Sequence, residues 1–165
     1  MRVVFDTNIF ISAFVIPGSL AEKAILKIIE EEDSLLISTD IIDEVLSVLS
    51  SKFGRDREGL SHVAVTLSEL AELVKPARRV KIFKDEPDNR ILECAIYGEA
   101  NLLVTGDKEI LQLREYKGVK IISLKKKLNK KLTGKSHLES DIMIRIGQKI
   151  ASLGKKCCIH EITGT

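Results

Sequence analysis

The chain has 165 residues, a mass of 18.4 kDa and an apolar content of 44%, enough for one compact domain and too much for an intrinsically disordered chain. No apolar run approaches the ~18 residues of a membrane span, and the longest, Ile9 to Ile16, follows Asp6 and Asn8 too closely for a signal peptide. The net charge of +2 hides a division: residues 1–116 carry 14 Lys/Arg and 21 Asp/Glu (net −7), and residues 117–165 carry 12 and 3 (net +9).

Arg2-Val3-Val4-Phe5 reads as a buried strand ending at Asp6. Helical patterns follow from Asn8 to Val15 and, after the Pro17-Gly18 turn and a Ser19 cap, from Leu20 to Glu32. Leu35-Leu36-Ile37 is a second strand. Thr39 or Asp40 caps a helix that ends near Gly54, and another helix is predicted from Arg57 to Val74. Pro76 breaks it, and Arg79 to Phe83 reads as a third extended run. After the polar turn Lys84 to Asp88 comes a helix with Ile91, Leu92, Ala95 and Ile96 on one face, then the strand Leu102 to Thr105, a short helix to Leu113, and the strand Val119 to Ile122. Strands alternating with helices predict a mainly parallel sheet in an α/β sandwich.

Beyond Ser123 the signal changes. Leu124, Leu128 and Leu132 recur every four residues among Lys125, Lys126, Lys127, Lys130 and Lys131, which predicts a narrow amphipathic helix with a basic outer face. Such a face suits either solvent, an acidic partner or RNA phosphates. Cys157 and Cys158 are adjacent and make a poor disulfide framework, so the chain is expected in a reducing, cytoplasmic compartment. With His160 they form no standard zinc spacing, and His62 and His137 stand alone.

In a parallel sheet, ligands bind beyond the carboxyl ends of the strands. Asp6 follows the first strand, Glu44 lies about a turn into the helix after the second, Asp88 opens the helix before the fourth, and Asp107 follows the fourth. Each acid alone reads as a helix cap or a solvated residue. Together they form a cluster whose members repel, by about 4 kcal/mol for a pair 4 Å apart at an effective dielectric near 20. Mg²⁺ or Mn²⁺, which prefer oxygen ligands, would relieve that repulsion and support phosphoryl hydrolysis.

The runs Val4-Phe5-Asp6-Thr7-Asn8, Asp88-Asn89-Arg90-Ile91-Leu92-Glu93-Cys94-Ala95 and Val104-Thr105-Gly106-Asp107-Lys108, with Glu44 between them, resemble the PIN domain. The likeness is greatest to its prokaryotic VapC-like group, toxins of type II toxin–antitoxin pairs. The resemblance covers about residues 1–124. It implies a three-layer α/β/α fold and a ribonuclease that uses Mg²⁺ or Mn²⁺, with RNA as substrate, a protein antitoxin as partner and a homodimer as assembly. Asp6, Glu44 and Asp88 match the family's three central acids and Asp107 the fourth; Asn8 and Thr105 match polar supports, and Thr7 reads as local support. Asp85 rivals Asp88, which is preferred because it is expected directly before the helix, with Ala95 seven residues on. The nuclease domain is thus expected over 1–132, followed by an extension over 133–165.

Three other readings compete. Haloacid-dehalogenase-type phosphatases also begin with a strand and an Asp, but need a second Asp where this chain has Asn8. An RNA-processing nuclease, or a non-catalytic RNA-binding domain of the same fold, would share every motif; retention of all four acids speaks for catalysis.

Overall fold

Val3, Val4 and Phe5 are fully buried, so the first strand (β1, Arg2–Phe5) shows an unbroken apolar run instead of alternation. A computed structural model describes residues 1–129 and Gln148. After β1 come α1 (Thr7–Val15), α2 (Leu20–Glu30), β2 (Ser34–Ser38), α3 (Thr39–Phe53), α4 (Arg57–Leu70), β3 (Glu72–Val74) and α5 (Glu86–Tyr97). The remainder is β4 (Leu102–Thr105), α6 (Lys108–Gln112), β5 (Glu115–Tyr116), β6 (Val119–Ser123) and α7 (Leu124–Asn129). Among the described residues no single helix is long and apolar enough to cross a membrane.

The six strands run in the order β3-β2-β1-β4-β6-β5, and only β5 is antiparallel. Helices cover the sheet in the three-layer α/β/α arrangement expected from the alternating pattern. The chain builds outward from β1 through β2 to β3, then returns to β4 on the other side of β1. The order therefore reverses between β1 and β4, the point at whose carboxyl edge ligands bind in sheets of this kind. In register, Phe5 faces Val104 and Ser38 faces Val74, so the loops after β1, β2, β3 and β4 all leave from that edge.

Three differences from the sequence reading have local causes. The helix expected to reach Val74 ends at Leu70, and Glu72–Val74 instead adds a short edge strand beside β2. The run Arg79 to Phe83 is not a strand, because side chains of α5 take its backbone donors: Val80 N–H donates to Glu93, and Ile82 and Phe83 N–H donate to Asn89. Before β6 lies an unexpected two-residue hairpin arm, turned by Lys117 (φ 48°) and Gly118 (φ 83°), the paired left-handed conformations of a tight hairpin. Gly98, at the end of α5, is needed for close approach: a Cβ there would sit 2.7 Å from Leu36 Cδ1 and 2.9 Å from Val74 Cγ2.

The basic helix also differs. Leu124 and Leu128 pack on the core, but Lys127 is 1% exposed. Its Nζ lies 2.7 Å from Glu31 Oε2 and 3.1 Å from Asp33 Oδ2, so it is a buried tether and not a free phosphate contact. Asp33 precedes β2, so α7 starts at the carboxyl edge, after β6, and runs toward the opposite one. Lys125 and Lys126 are exposed. Lys130, Lys131, Leu132, His137, Cys157, Cys158, His160 and the extension expected over 133–165 lie outside the described residues, apart from Gln148.

Candidate active site

Parallel pairing of β1 with β4 sets Asp6 beside Thr105. Asp6 is the N-cap of α1: its Oδ1 accepts the Asn8 N–H at 3.0 Å, and its Oδ2 accepts the Thr105 hydroxyl. Thr105 is fully buried and in turn accepts the Asp107 N–H at 2.9 Å, so one hydroxyl ties the first acid to the fourth. Asp107 caps α6 through Oδ1, which accepts the N–H groups of Glu109 (2.7 Å) and Ile110 (3.1 Å). Asn8 contributes its backbone N–H; its side chain is exposed.

Glu44 is half-buried on α3, whose N-cap is Ser38 and not the expected Thr39 or Asp40. Thr7 Oγ1 donates to Glu44 Oε2 at 3.0 Å, which fixes the second acid against the start of α1. Asp88 lies within the first turn of α5 and not directly before the helix as expected, because the helix begins at Glu86. Asp85 takes the N-cap position, makes no side-chain cap bond and is exposed, whereas Asp88 is half-buried. Among the described residues the Asp88 carboxylate accepts no hydrogen bond, and none of the four acids makes an ion pair.

The electrostatics follow from this geometry. Burial pushes the Asp6 carboxyl above its ordinary value; the bonds from Thr105 and Asn8 oppose the rise, and the Asp107 charge adds to it. Glu44 is raised by burial, opposed by Thr7 and reinforced by Asp6. Asp88 is pushed up to about 6, first by burial and then by the charges of Asp107, Asp6, Asp85 and Glu109. The four acids thus act on one another, although no three His, Cys, Asp or Glu side chains among the described residues are gathered around one point as metal ligands would be. The donor chemistry fits a hard divalent cation: all-oxygen, anionic, and without a Lys or Arg in compensation.

A pH effect arises here. Between about pH 4 and 6 folded, metal-free protein keeps a proton on Asp88 that the unfolded chain has released. The resulting stabilisation is full below pH 4 and lost as pH rises through 6, on the order of 1 kcal/mol for a partly screened group. Asp88→Asn should remove this part of the melting-temperature slope over pH 4–7; an unchanged slope would mean that Asp88 titrates normally.

Sequence reasoning missed two positioning residues. Asn89 and Glu93, one turn apart on α5, are buried polar side chains. Asn89 donates to the carbonyls of Phe83 (2.9 Å) and Asp85 (3.1 Å) and accepts from Ile82 and Phe83, so it moulds the turn that presents Asp88. Glu93 accepts from Val80 N–H and pairs with Arg90 and Arg79. The signal was their helical spacing: Asn89 and Glu93 share a side of the helix with Leu92 and Ile96, a side turned to the core.

A family model for the PIN domain matches residues 2–109. The chain belongs to the PIN domain family. PIN domains are generally nucleases that act on RNA and use divalent metals, and the matched segment contains all four acids. This PIN domain is also similar to an uncharacterized protein of Methanocaldococcus jannaschii, with 29% identity over 119 residues, covering 70% of this chain and 76% of that protein.

Proposed function

We propose that this PIN domain is a Mg²⁺- or Mn²⁺-dependent endoribonuclease that hydrolyses RNA phosphodiester bonds. The observation that carries the reading is the set of carboxylates from four chain segments at one sheet edge, acting on one another and paired with no cation among the described residues. Asp6, Glu44, Asp88 and Asp107 would hold the metal. A bound Mg²⁺ or Mn²⁺ supplies Lewis acidity, lowering the pKa of water and neutralising charge on the phosphate. Thr105 orients Asp6, Thr7 orients Glu44, and the α6 cap fixes one oxygen of Asp107 while leaving Oδ2 uncommitted. Lys125 and Lys126, exposed just after β6, are the members of the basic helix still fitted to meet RNA.

The test is cleavage of a labelled single-stranded RNA with Mn²⁺ and with EDTA. Product is expected only with metal; binding without cleavage in both would favour a non-catalytic domain. Metal should also stabilise the fold by roughly 2.7 kcal/mol at 100 times its dissociation constant. A melting curve unmoved by millimolar Mn²⁺ would count against the metal site.

The VapC-like resemblance supports a cytoplasmic, homodimeric toxin with a protein antitoxin. Growth arrest on expression, relieved by a short reading frame beside the gene, is the expected result; no arrest would favour RNA processing.

A further inference from the structure

The most basic described segment at the acidic edge is the loop between β3 and α5. Residues 75–84 hold Lys75, Arg78, Arg79, Lys81 and Lys84 and no acid. The loop leaves β3 at the carboxyl edge and returns at α5, whose first turn carries Asp88. Its two ends therefore lie on the edge where the acids sit. Arg79 is committed to structure, bridging Asp40 of α3 and Glu93 of α5 at 3.2 Å each. With the Asn89 bonds, this bridge gives the loop a built shape.

Lys75, Arg78, Lys81 and Lys84 are exposed, and among the described residues they make no ion pair or hydrogen bond. An open groove of about 250 Å³ lies between the loop and the start of α3, lined by Thr39, Asp40, Lys75, Arg78 and Arg79 among others. Four uncompensated cations bordering a cluster of acids form a surface for a polyanion that must be brought to those acids against their own repulsion.

We propose that loop 75–84 carries the backbone of single-stranded RNA to the acids, with Lys75, Arg78, Lys81 and Lys84 as phosphate contacts. This rests on the nuclease reading above. RNA is favoured over an acidic protein because the loop ends in the turn that presents Asp88, where the scissile phosphate would lie. From Arg79 onward the loop is also pinned before any ligand arrives, which limits the entropy lost there on binding.

The test compares the full-length wild type with K75A/R78A/K81A/K84A. Binding of a fluorescent 20-nucleotide single-stranded RNA is followed by anisotropy in EDTA across a range of KCl. Cleavage of the same RNA and of a dinucleotide is followed with Mn²⁺. At about −0.7 per phosphate contact, the slope of log K against log salt should flatten by about 3. KM for the long RNA should rise, with kcat and dinucleotide cleavage little changed. K75A/R78A and K81A/K84A should each give about half the flattening, which keeps the test sound if the fourfold variant folds poorly. Wild-type slope and KM in folded variants, alongside metal-dependent cleavage by the wild type, would overturn the loop assignment alone and leave the loop to an acidic protein segment. A wild type that neither binds nor cleaves RNA would overturn the nuclease reading and this inference together.

Discussion

Asp6→Asn is expected to lower metal-dependent RNA cleavage by about a thousandfold or more, roughly 4 kcal/mol of barrier, while the protein stays folded. The amide keeps an oxygen to cap α1, and the Thr105 hydroxyl can turn to suit its new neighbour. What is lost is a charge from the most buried of the four acids. Because burial and neighbouring charge disfavour that carboxylate, the metal-free variant should melt no lower than wild type. Asp88→Asn should behave alike, Glu44→Gln should also be severe, and Asp107→Asn milder, since one Asp107 oxygen already serves the α6 cap. Steady-state cleavage together with a melting curve decides the matter: near-wild-type turnover by Asp6→Asn would refute the assignment.

The second large effect lies away from the acids. Lys127→Ala should destabilise the protein by about 2 kcal/mol, because two charge-assisted hydrogen bonds are lost and Glu31 and the nearly buried Asp33 are left with one cation each, Lys27 and the Met1 ammonium. α7 depends on this tether and on Lys27, whose Nζ donates to the Leu128 carbonyl at 2.9 Å. Lys126→Ala, on the exposed side, should change stability by less than about 0.5 kcal/mol. Urea denaturation of both variants provides the check, and equal midpoints would show that the tether contributes nothing.

Much of this fold can be read from the residues. β1, β2, β4 and β6 are apolar runs between turn residues, and each lies where that pattern predicts. Arg79 to Phe83 misleads because Val80, Ile82 and Phe83 imitate a strand. Whether such a run joins a sheet depends on who takes its N–H groups, and here Asn89 and Glu93 of the following helix take three of them. β3 has only three residues and no pattern strong enough to interrupt the helix before it. Lys127 was legible in principle. It stands three residues after Leu124 and one before Leu128, on the side those leucines bury, but a four-residue repeat alone assigns every lysine to the outside.

At the candidate site, the strand-end positions of Asp6 and Asp107 followed from short-range pattern. Their link through Thr105 did not, since it depends on the pairing of two strands about a hundred residues apart. Asp88 is half-buried and acted on by Asp107 and Asp6, while Asp85 is exposed at the helix cap, a contrast that no sequence spacing displays. The helix itself starts earlier than expected, because Glu86 and Pro87 already belong to its first turn.

The bridge of Arg79 to α3 and α5 divides the connection after β3 into two parts with different freedom to vary. From Arg79 onward, Val80, Ile82, Phe83 and Asp85 are each fastened to α5, so an added residue there would shift the turn beneath Asp88. Between Val74 and Arg79 no such fastening occurs among the described residues, and chain length can change without passing strain to the acids. Homologues should accordingly accumulate insertions and deletions at residues 75–78 and keep a constant count from 79 to 93. For protein engineering, that short stretch is the place to graft a peptide next to the candidate site with the least strain on the acids, as long as Lys75 and Arg78 are kept.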